Sequence, residues 1–202
     1  DIDKYTFGSS FNEINKVLSS RTKIIVAQHT FGIPCNIKEI KTLARKKNIF
    51  LLEDCALTLS SKINDKTCGT FGDAAIFSTD NTKPINTLTG GIIYSENQKL
   101  ISKIFNFRSK CKKISITKQK ALLNQLLLEK RMCLPKNFGR YNFVSSIYKN
   151  FNKYGDPFFS DDFGTSFSNN YPYPTYMPSF LCLLGNYEID RWKKESRKRK
   201  KL

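Results

Sequence analysis

Three side chains stand where chemistry would want them. Asp54 follows the apolar run Ile49-Phe50-Leu51-Leu52 and Glu53. An acid at the end of such a strand lies at the carboxyl edge of a sheet, where open α/β folds bind their ligands. It is costly to keep there without a cationic partner. Ser78 closes a second run, Ala74-Ala75-Ile76-Phe77, which is entered through the tight turn Gly69-Thr70-Phe71-Gly72-Asp73. Lys83 comes five residues after Ser78, and Gly90-Gly91 then marks a backbone position needing positive φ or close approach. A carboxylate, a hydroxyl and a lysine at successive strand ends suit an anionic aromatic cofactor: acid to its ring nitrogen, hydroxyl to its phosphate, amine to its aldehyde. Singly, each has a plainer reading as a turn aspartate, a strand-end serine or a solvated lysine. Their order along the chain joins them.

The elements that must position these groups alternate between strand and helix. Lys23 to Gln28 is a short β-branched run of the kind buried on both faces of a parallel sheet. Gly32 and Pro34 punctuate its exit, and Asn36 is placed to cap a helix. Ile37, Ile40, Leu43 and Ala44 fall at helical spacing, with Lys38, Lys41, Arg45 and Lys46 on the other side. Strands over 49–52, 74–77 and 92–94 and a helix over 100–107 follow, giving an α/β layer architecture. Gln119 to Arg131 predicts a helix with a stripe of Leu122, Leu123, Leu126 and Leu127. Asn137 to Tyr173 reads as irregular, and a last helix starts near Ser179, with Leu181, Leu184, Ile189 and Trp192 apolar and Glu188, Asp190 and Arg191 polar.

The 202 residues are 40% hydrophobic and 25% charged, ordinary globular usage that excludes disorder and a polytopic membrane protein. The net charge of +17 is uneven: residues 109–202 hold +12 of it, and eight basic side chains lie between Arg191 and Leu202. That distribution is a lysine-rich solvated surface and a tail, with no patch interleaved with aromatics, so no nucleic-acid partner is expected. Lys112, Lys113, Lys118, Lys120, Lys130 and Arg131 flank the leucine stripe. The pattern fits a helix lying on an anionic membrane, and it fits equally a helix packed on the protein. Packing is the preferred expectation. The six cysteines (Cys35, Cys55, Cys68, Cys111, Cys133, Cys182) make no CxxC pair and no zinc spacing with the single His29, so free thiols and a cytoplasmic setting are expected.

Several segments in order resemble one family. They are Thr22-Lys23-Ile24-Ile25-Val26 through His29-Thr30-Phe31-Gly32, then Leu52-Glu53-Asp54-Cys55-Ala56, then Gly69 through Ser78, then Thr82-Lys83 and Gly90-Gly91. Together they look like the DegT/DnrJ/EryC1/StrS sugar aminotransferases. Asp1-Ile2-Asp3 resembles the family's segment before this block, and Met177 with Gly185 to Trp192 resembles its connecting helix toward a small domain. The resemblance implies a fold-type-I transferase dependent on pyridoxal 5'-phosphate, an α/β/α three-layer fold with a mostly parallel sheet. It divides the chain into part of the large domain (1–108), an insertion (109–175), and a connecting helix with basic tail (176–202). It makes Lys83 the Schiff-base lysine, Asp54 the partner of the pyridinium nitrogen and Ser78 a phosphate ligand. The implied reaction moves an amino group from an amino acid, usually glutamate, to a nucleotide-linked keto-sugar, in a homodimer.

The pattern also has departures. Leu57 stands where relatives carry Gln or His, Pro174-Thr175-Tyr176-Met177 replaces an Asn-aromatic-Arg-Met motif, and Leu88-Thr89 replaces Gly-Glu. Family subunits are about twice this length, so the chain reads as a piece of one. The departures leave open a non-catalytic relative that keeps the fold as a partner subunit. A dehydratase on the same scaffold is disfavoured, because those relatives place His where Lys83 stands.

Overall fold

The computed structural model describes residues 1–132, 135–137, 140, 143, 147 and 174–199. The chain folds as two units, one made of Asp1–Asn106 and Leu183–Leu202, the other of Phe107–Cys182. In the first unit, helix α1 (Phe11–Val17) is capped by Ser10, whose Oγ accepts from the Glu13 amide at 3.4 Å. Strand β1 (Ile24–Gln28), helix α2 (Ile37–Lys47) and strand β2 (Phe50–Asp54) follow. A small antiparallel pair, β3 (Lys62–Ile63) and β4 (Lys66–Thr67), precedes β5 (Ala74–Ser78), β6 (Gly91–Tyr94) and helix α3 (Gln98–Ser109). The sheet order is β1-β2-β5-β6, parallel across the first three strands and antiparallel at β6. This mixed, mostly parallel sheet with helices is the α/β architecture expected from the sequence.

Helix α2 shows why the local sequence folds as it does. Ile37, Ile40 and Ala44 present one apolar face, Glu39 sits in the first turn, and Arg45, Lys46 and Lys47 in the last, all favourable to the helix dipole. Asn48 closes it at φ +52, its amide returning to the carbonyls of Ala44 and Arg45. Asn36 is the N-cap residue, as expected, but makes no side-chain capping bond. The buried face of α2 meets Ile25 and Ala27 of β1 and Leu51 of β2. Each large aliphatic side chain removed from water there stabilises the fold by about 1.5–3 kcal/mol.

One expectation is corrected. β1 is buried on one face only: Ile25 and Ala27 are inside, whereas Ile24 is 56% and Val26 51% exposed. Helix α2 packs on the covered side of β1.

In the second unit β7 (Lys112–Lys113) pairs in parallel with β8 (Thr175–Tyr176), and the Arg108 guanidinium lies 4.9 Å from the Tyr176 ring centroid. Helix α4 (Ile116–Met132) contains the leucines expected to form a stripe. Leu122 is fully buried and Leu126 half-buried, but Leu123 and Leu127 are exposed. Most of the segment read as irregular (137–173) and the tail beyond 199 lie outside the described residues. The last helix, α5 (Ser179–Arg199), starts where expected. Its polar Glu188 is 8% exposed and pairs with Arg191 at 2.6 Å. No described helix is long and apolar enough to cross a membrane.

Cys35, Cys55, Cys68, Cys111 and Cys182 carry free thiols, the first three buried. Burial, with the neighbouring Cys68 and Glu53, pushes the Cys35 thiol up to about 12. Burial and Glu53 push Cys68 to about 11, and Cys55 moves the same way. Alkylation at pH 8 followed by mass mapping is expected to modify Cys182 and Cys111 first among these five thiols. Cys68 should react roughly a hundredfold more slowly than an ordinary thiol, since the thiolate is the nucleophile. Rapid labelling of Cys68 in the folded protein would contradict the packing.

Candidate active site

Adjacent residues on β2 point to opposite faces of the sheet. That alternation separates two acids that the sequence prints side by side. Glu53, in register with Ala27 and Ala75, goes inward and is fully buried. Asp54, in register with Gln28 and Ile76, goes to the other face and is half-buried.

Glu53 is held entirely by donors. Its Oε2 accepts from the Gly69 amide at 2.8 Å and from His29 Nε2 at 3.1 Å. Its Oε1 accepts from the amides of Phe71 and Gly72. His29 Nδ1 accepts from the Cys35 amide at 3.1 Å, which leaves the ring proton on Nε2 to face the carboxylate. Burial alone would raise the Glu53 carboxyl, but the His29 hydrogen bond and the amides of Gly72 and Gly69 outweigh it and hold it below its ordinary value. The loop must be glycine here: Gly69 sits at φ +92, and a Cβ on it would come 2.5 Å from the Phe77 ring. This carboxylate therefore ties the 69–72 turn and the His29 segment to the centre of the sheet. It fixes where β5, and so Ser78, begins and ends. The composition reading missed it; the clue was Glu53's place on the inward side of the alternation.

Ser78 ends β5, and among the described residues its Oγ accepts only a long 3.4 Å bond from the Asp80 amide. Lys83 follows in a turn closed by its own amide to the Asp80 carbonyl at 3.0 Å. The loop beyond is drawn shut at its base, with the Thr87 amide on the Thr79 carbonyl at 2.8 Å and the Thr79 amide on the Gly90 carbonyl at 3.1 Å. Helix α5 pins it from outside, where the Arg191 guanidinium donates to the Pro84 carbonyl at 3.1 Å. The double glycine behaves as expected, with Gly90 at φ +114 and a Cβ on Gly91 meeting the Phe77 carbonyl at 2.9 Å. Leu88, at one of the departures from the family pattern, is fully buried with φ +67, a backbone cost accepted for an apolar side chain in the core.

Ser78 and Lys83 line one cavity of about 480 Å³, together with Leu57, Thr58, Phe77 and Tyr94. Asp54 is not part of its wall. The structure thus brings the lysine and the hydroxyl together, and places the carboxylate on a neighbouring strand end at the same carboxyl edge. Asp54 caps its own turn, Oδ1 accepting from the Ala56 amide at 2.9 Å, and its other oxygen has no hydrogen-bond partner among the described residues. Lys83 makes no ion pair among them either. Thr58 Oγ1 on the cavity wall is buried without a partner, a second residue the sequence did not single out. Leu57, where relatives were expected to carry Gln or His, is 41% exposed on the same wall.

The profile of the DegT/DnrJ/EryC1/StrS aminotransferase family matches residues 1–131. The chain belongs to that family. Among its relatives, the GDP-perosamine synthase of Escherichia coli O157:H7 is 35% identical over 108 residues, 54% of this chain and 30% of the synthase. The X-ray structure of an aminotransferase from Psychrobacter cryohalolentis matches with a TM-score of 0.61 over 96% of this chain and 40% of that one. At 22% identity that likeness is one of fold. A crystal structure of GDP-4-keto-6-deoxymannose-3-dehydratase with a trapped PLP-glutamate geminal diamine matches at 30% identity and a TM-score of 0.50, over 54% of this chain and 28% of that one. The DegT/DnrJ/EryC1/StrS chain described here therefore spans well under half the length of these relatives. Its relatives include both sugar aminotransferases and a sugar dehydratase.

Proposed function

We propose that the whole protein is a pyridoxal-phosphate-dependent aminotransferase. It would move an amino group from an amino acid, glutamate by preference, to a nucleotide-linked keto-sugar in the biosynthesis of a glycan precursor. It would act in the cytoplasm as a homodimer. The observation that carries the proposal is the pairing of Lys83 and Ser78 on one cavity beside Asp54, in a chain of this family. The residues fit the cofactor chemically. A carboxylate oxygen, a hydroxyl proton and an ammonium at the carboxyl edge are uncommitted within the described structure, and an orphaned Thr58 hydroxyl adds a polar atom to the wall.

Bound pyridoxal phosphate supplies an aldehyde and an electron-withdrawing ring. Asp54 would accept the ring N–H and keep that proton in place, a pairing that strengthens as water is excluded. Ser78 would donate its O–H to the phosphate, and Lys83 would hold the aldehyde carbon and, once released, carry a proton at Nζ between substrate and cofactor carbons. Phe77, Tyr94 and Leu57 make the wall apolar and limit water. Lys83 also separates this proposal from a dehydratase, in which the resemblance places His at that position.

The test is borohydride reduction of the full-length protein with cofactor, followed by peptide mapping. The reduced cofactor is expected on Lys83, and Lys83→Ala should lose both attachment and turnover. Attachment to another lysine would sink the assignment. A second reading, a non-catalytic partner subunit, is favoured by one observation: Leu57 brings no polar atom to the cavity. A folded protein that takes up no cofactor would select it.

A further inference from the structure

A second cavity, of about 720 Å³, opens at the amino edge of the same sheet, away from Lys83. It lies beside the starts of β1, β2 and β5, marked by Lys23, Phe50 and Asp73 on its wall. Four cations converge on it from separate elements: Lys23 before β1, Lys41 and Arg45 one turn apart on α2, and Lys66 on β4. Among the described residues none of the four makes an ion pair. Two acids share the wall, Asp73 and Glu96. Asp73 is committed, its Oδ2 accepting from the Leu51 amide at 2.7 Å. The cavity therefore carries an excess of positive charge that its own acids do not neutralise.

The arrangement at its floor is unusual for solvated lysines. The Lys66 and Lys41 ammoniums lie 4.9 and 6.0 Å from the centroid of one ring, that of buried Phe71. The ring quadrupole attracts each of them but cancels neither charge, so the two repel across a shared surface. Burial, then the neighbouring Lys66 and Arg45, lower the Lys41 ammonium from its ordinary value. Surface lysines free to choose would spread apart into water. Here α2 and β4 bring both ammoniums to one ring.

We propose that this amino-edge cavity binds a small diphosphate-bearing anion, with Lys41 and Lys66 as its principal ligands and Arg45 and Lys23 as outer contacts. Phosphoryl oxygens suit the geometry because several acceptors on one group can meet ammoniums arriving from different directions. The volume is within the range of small-molecule pockets and exceeds what a single phosphate would fill. The site is separate from the cofactor cavity and does not depend on the aminotransferase proposal.

The test titrates inorganic pyrophosphate calorimetrically into the full-length protein with cofactor bound, at fixed ionic strength. Wild type and a Lys99→Met control, which alters a lysine outside the cavity, are expected to bind alike. Lys41→Met/Lys66→Met should bind about a hundredfold more weakly, the loss of two charge-assisted hydrogen bonds. Its Tm without anion should equal or exceed that of wild type, because a repulsion has been removed. Unchanged binding by the double variant overturns the proposal. So does a fall in Tm that accompanies the lost binding, which would make the lysines structural. Loss of binding in Lys83→Ala with retention in the double variant would move the anion to the cofactor cavity and overturn it too. Binding to vesicles containing phosphatidic acid without any response to pyrophosphate would likewise overturn it, since the ligand would then be a lipid surface.

Discussion

Glu53→Ala is expected to destabilise the protein by about 3–5 kcal/mol, the cost of removing one side of a buried, hydrogen-bonded charge network. That is a large share of the ~5–15 kcal/mol that holds a typical domain together. Three loop amides and the His29 ring would be left as buried donors without acceptors. Glu53→Gln should not rescue it. All four partners are donors, and an amide side chain offers one oxygen while turning its own N–H groups against two of them. Urea unfolding of both variants measures the effect, and a glutamine variant as stable as wild type would remove the argument. The network also predicts acid sensitivity. A carboxyl held below its unfolded value near 4.5 contributes stability that is complete above that value and is lost as pH falls through the lower folded one. The Glu53→Gln variant should therefore lose less stability than wild type on acidification.

Asp54→Asn is the second large effect, and it falls on rate. Asp54 stays half-buried at the strand end, and an asparagine can still cap the Ala56 amide, so the fold and cofactor uptake should survive. Under the proposed function the ring nitrogen would lose the carboxylate that keeps it protonated. Turnover should fall roughly a hundredfold or more, the lower end of what positioned proton control contributes. The isotope effect with an amino donor deuterated at its α-carbon should rise at the same time, because proton movement becomes limiting. A variant with unchanged kcat would remove Asp54 from the proposed site. One that fails to fold would assign it a structural role.

The contrast between these two acids shows what was legible in the sequence. Long apolar runs announced β1, β2, β5 and β6, and the spacing of Ile37, Ile40 and Ala44 announced α2, because burial of a continuous face leaves a period in the chain. The ordered segments from Thr22 to Gly91 were specific enough to give the family. The sequence reading saw Asp54 as the costly acid, whereas the structure buries Glu53. A run of four apolar residues hides which side of the strand is inward, and that depends on contacts from α2 and the 69–72 turn. Helix α1 and the β3–β4 pair escaped notice because seven residues and two-residue strands leave almost no pattern. The bare face of β1 was missed for a related reason: a run of Ile-Ile-Val reads alike whether one side is covered or both.

The Glu53 socket also has a spectroscopic consequence. The chain contains a single histidine. With Nδ1 accepting from Cys35 and Nε2 donating to Glu53, the imidazole is locked in one tautomer, so its two nitrogens are chemically unlike. In a ¹⁵N-labelled sample they should give two widely separated resonances, one of pyrrole and one of pyridine type. Opening of the 69–72 turn would free the ring to exchange tautomers and draw the two signals together. His29 is therefore a built-in gauge of whether the strand end that carries Ser78 is held in place.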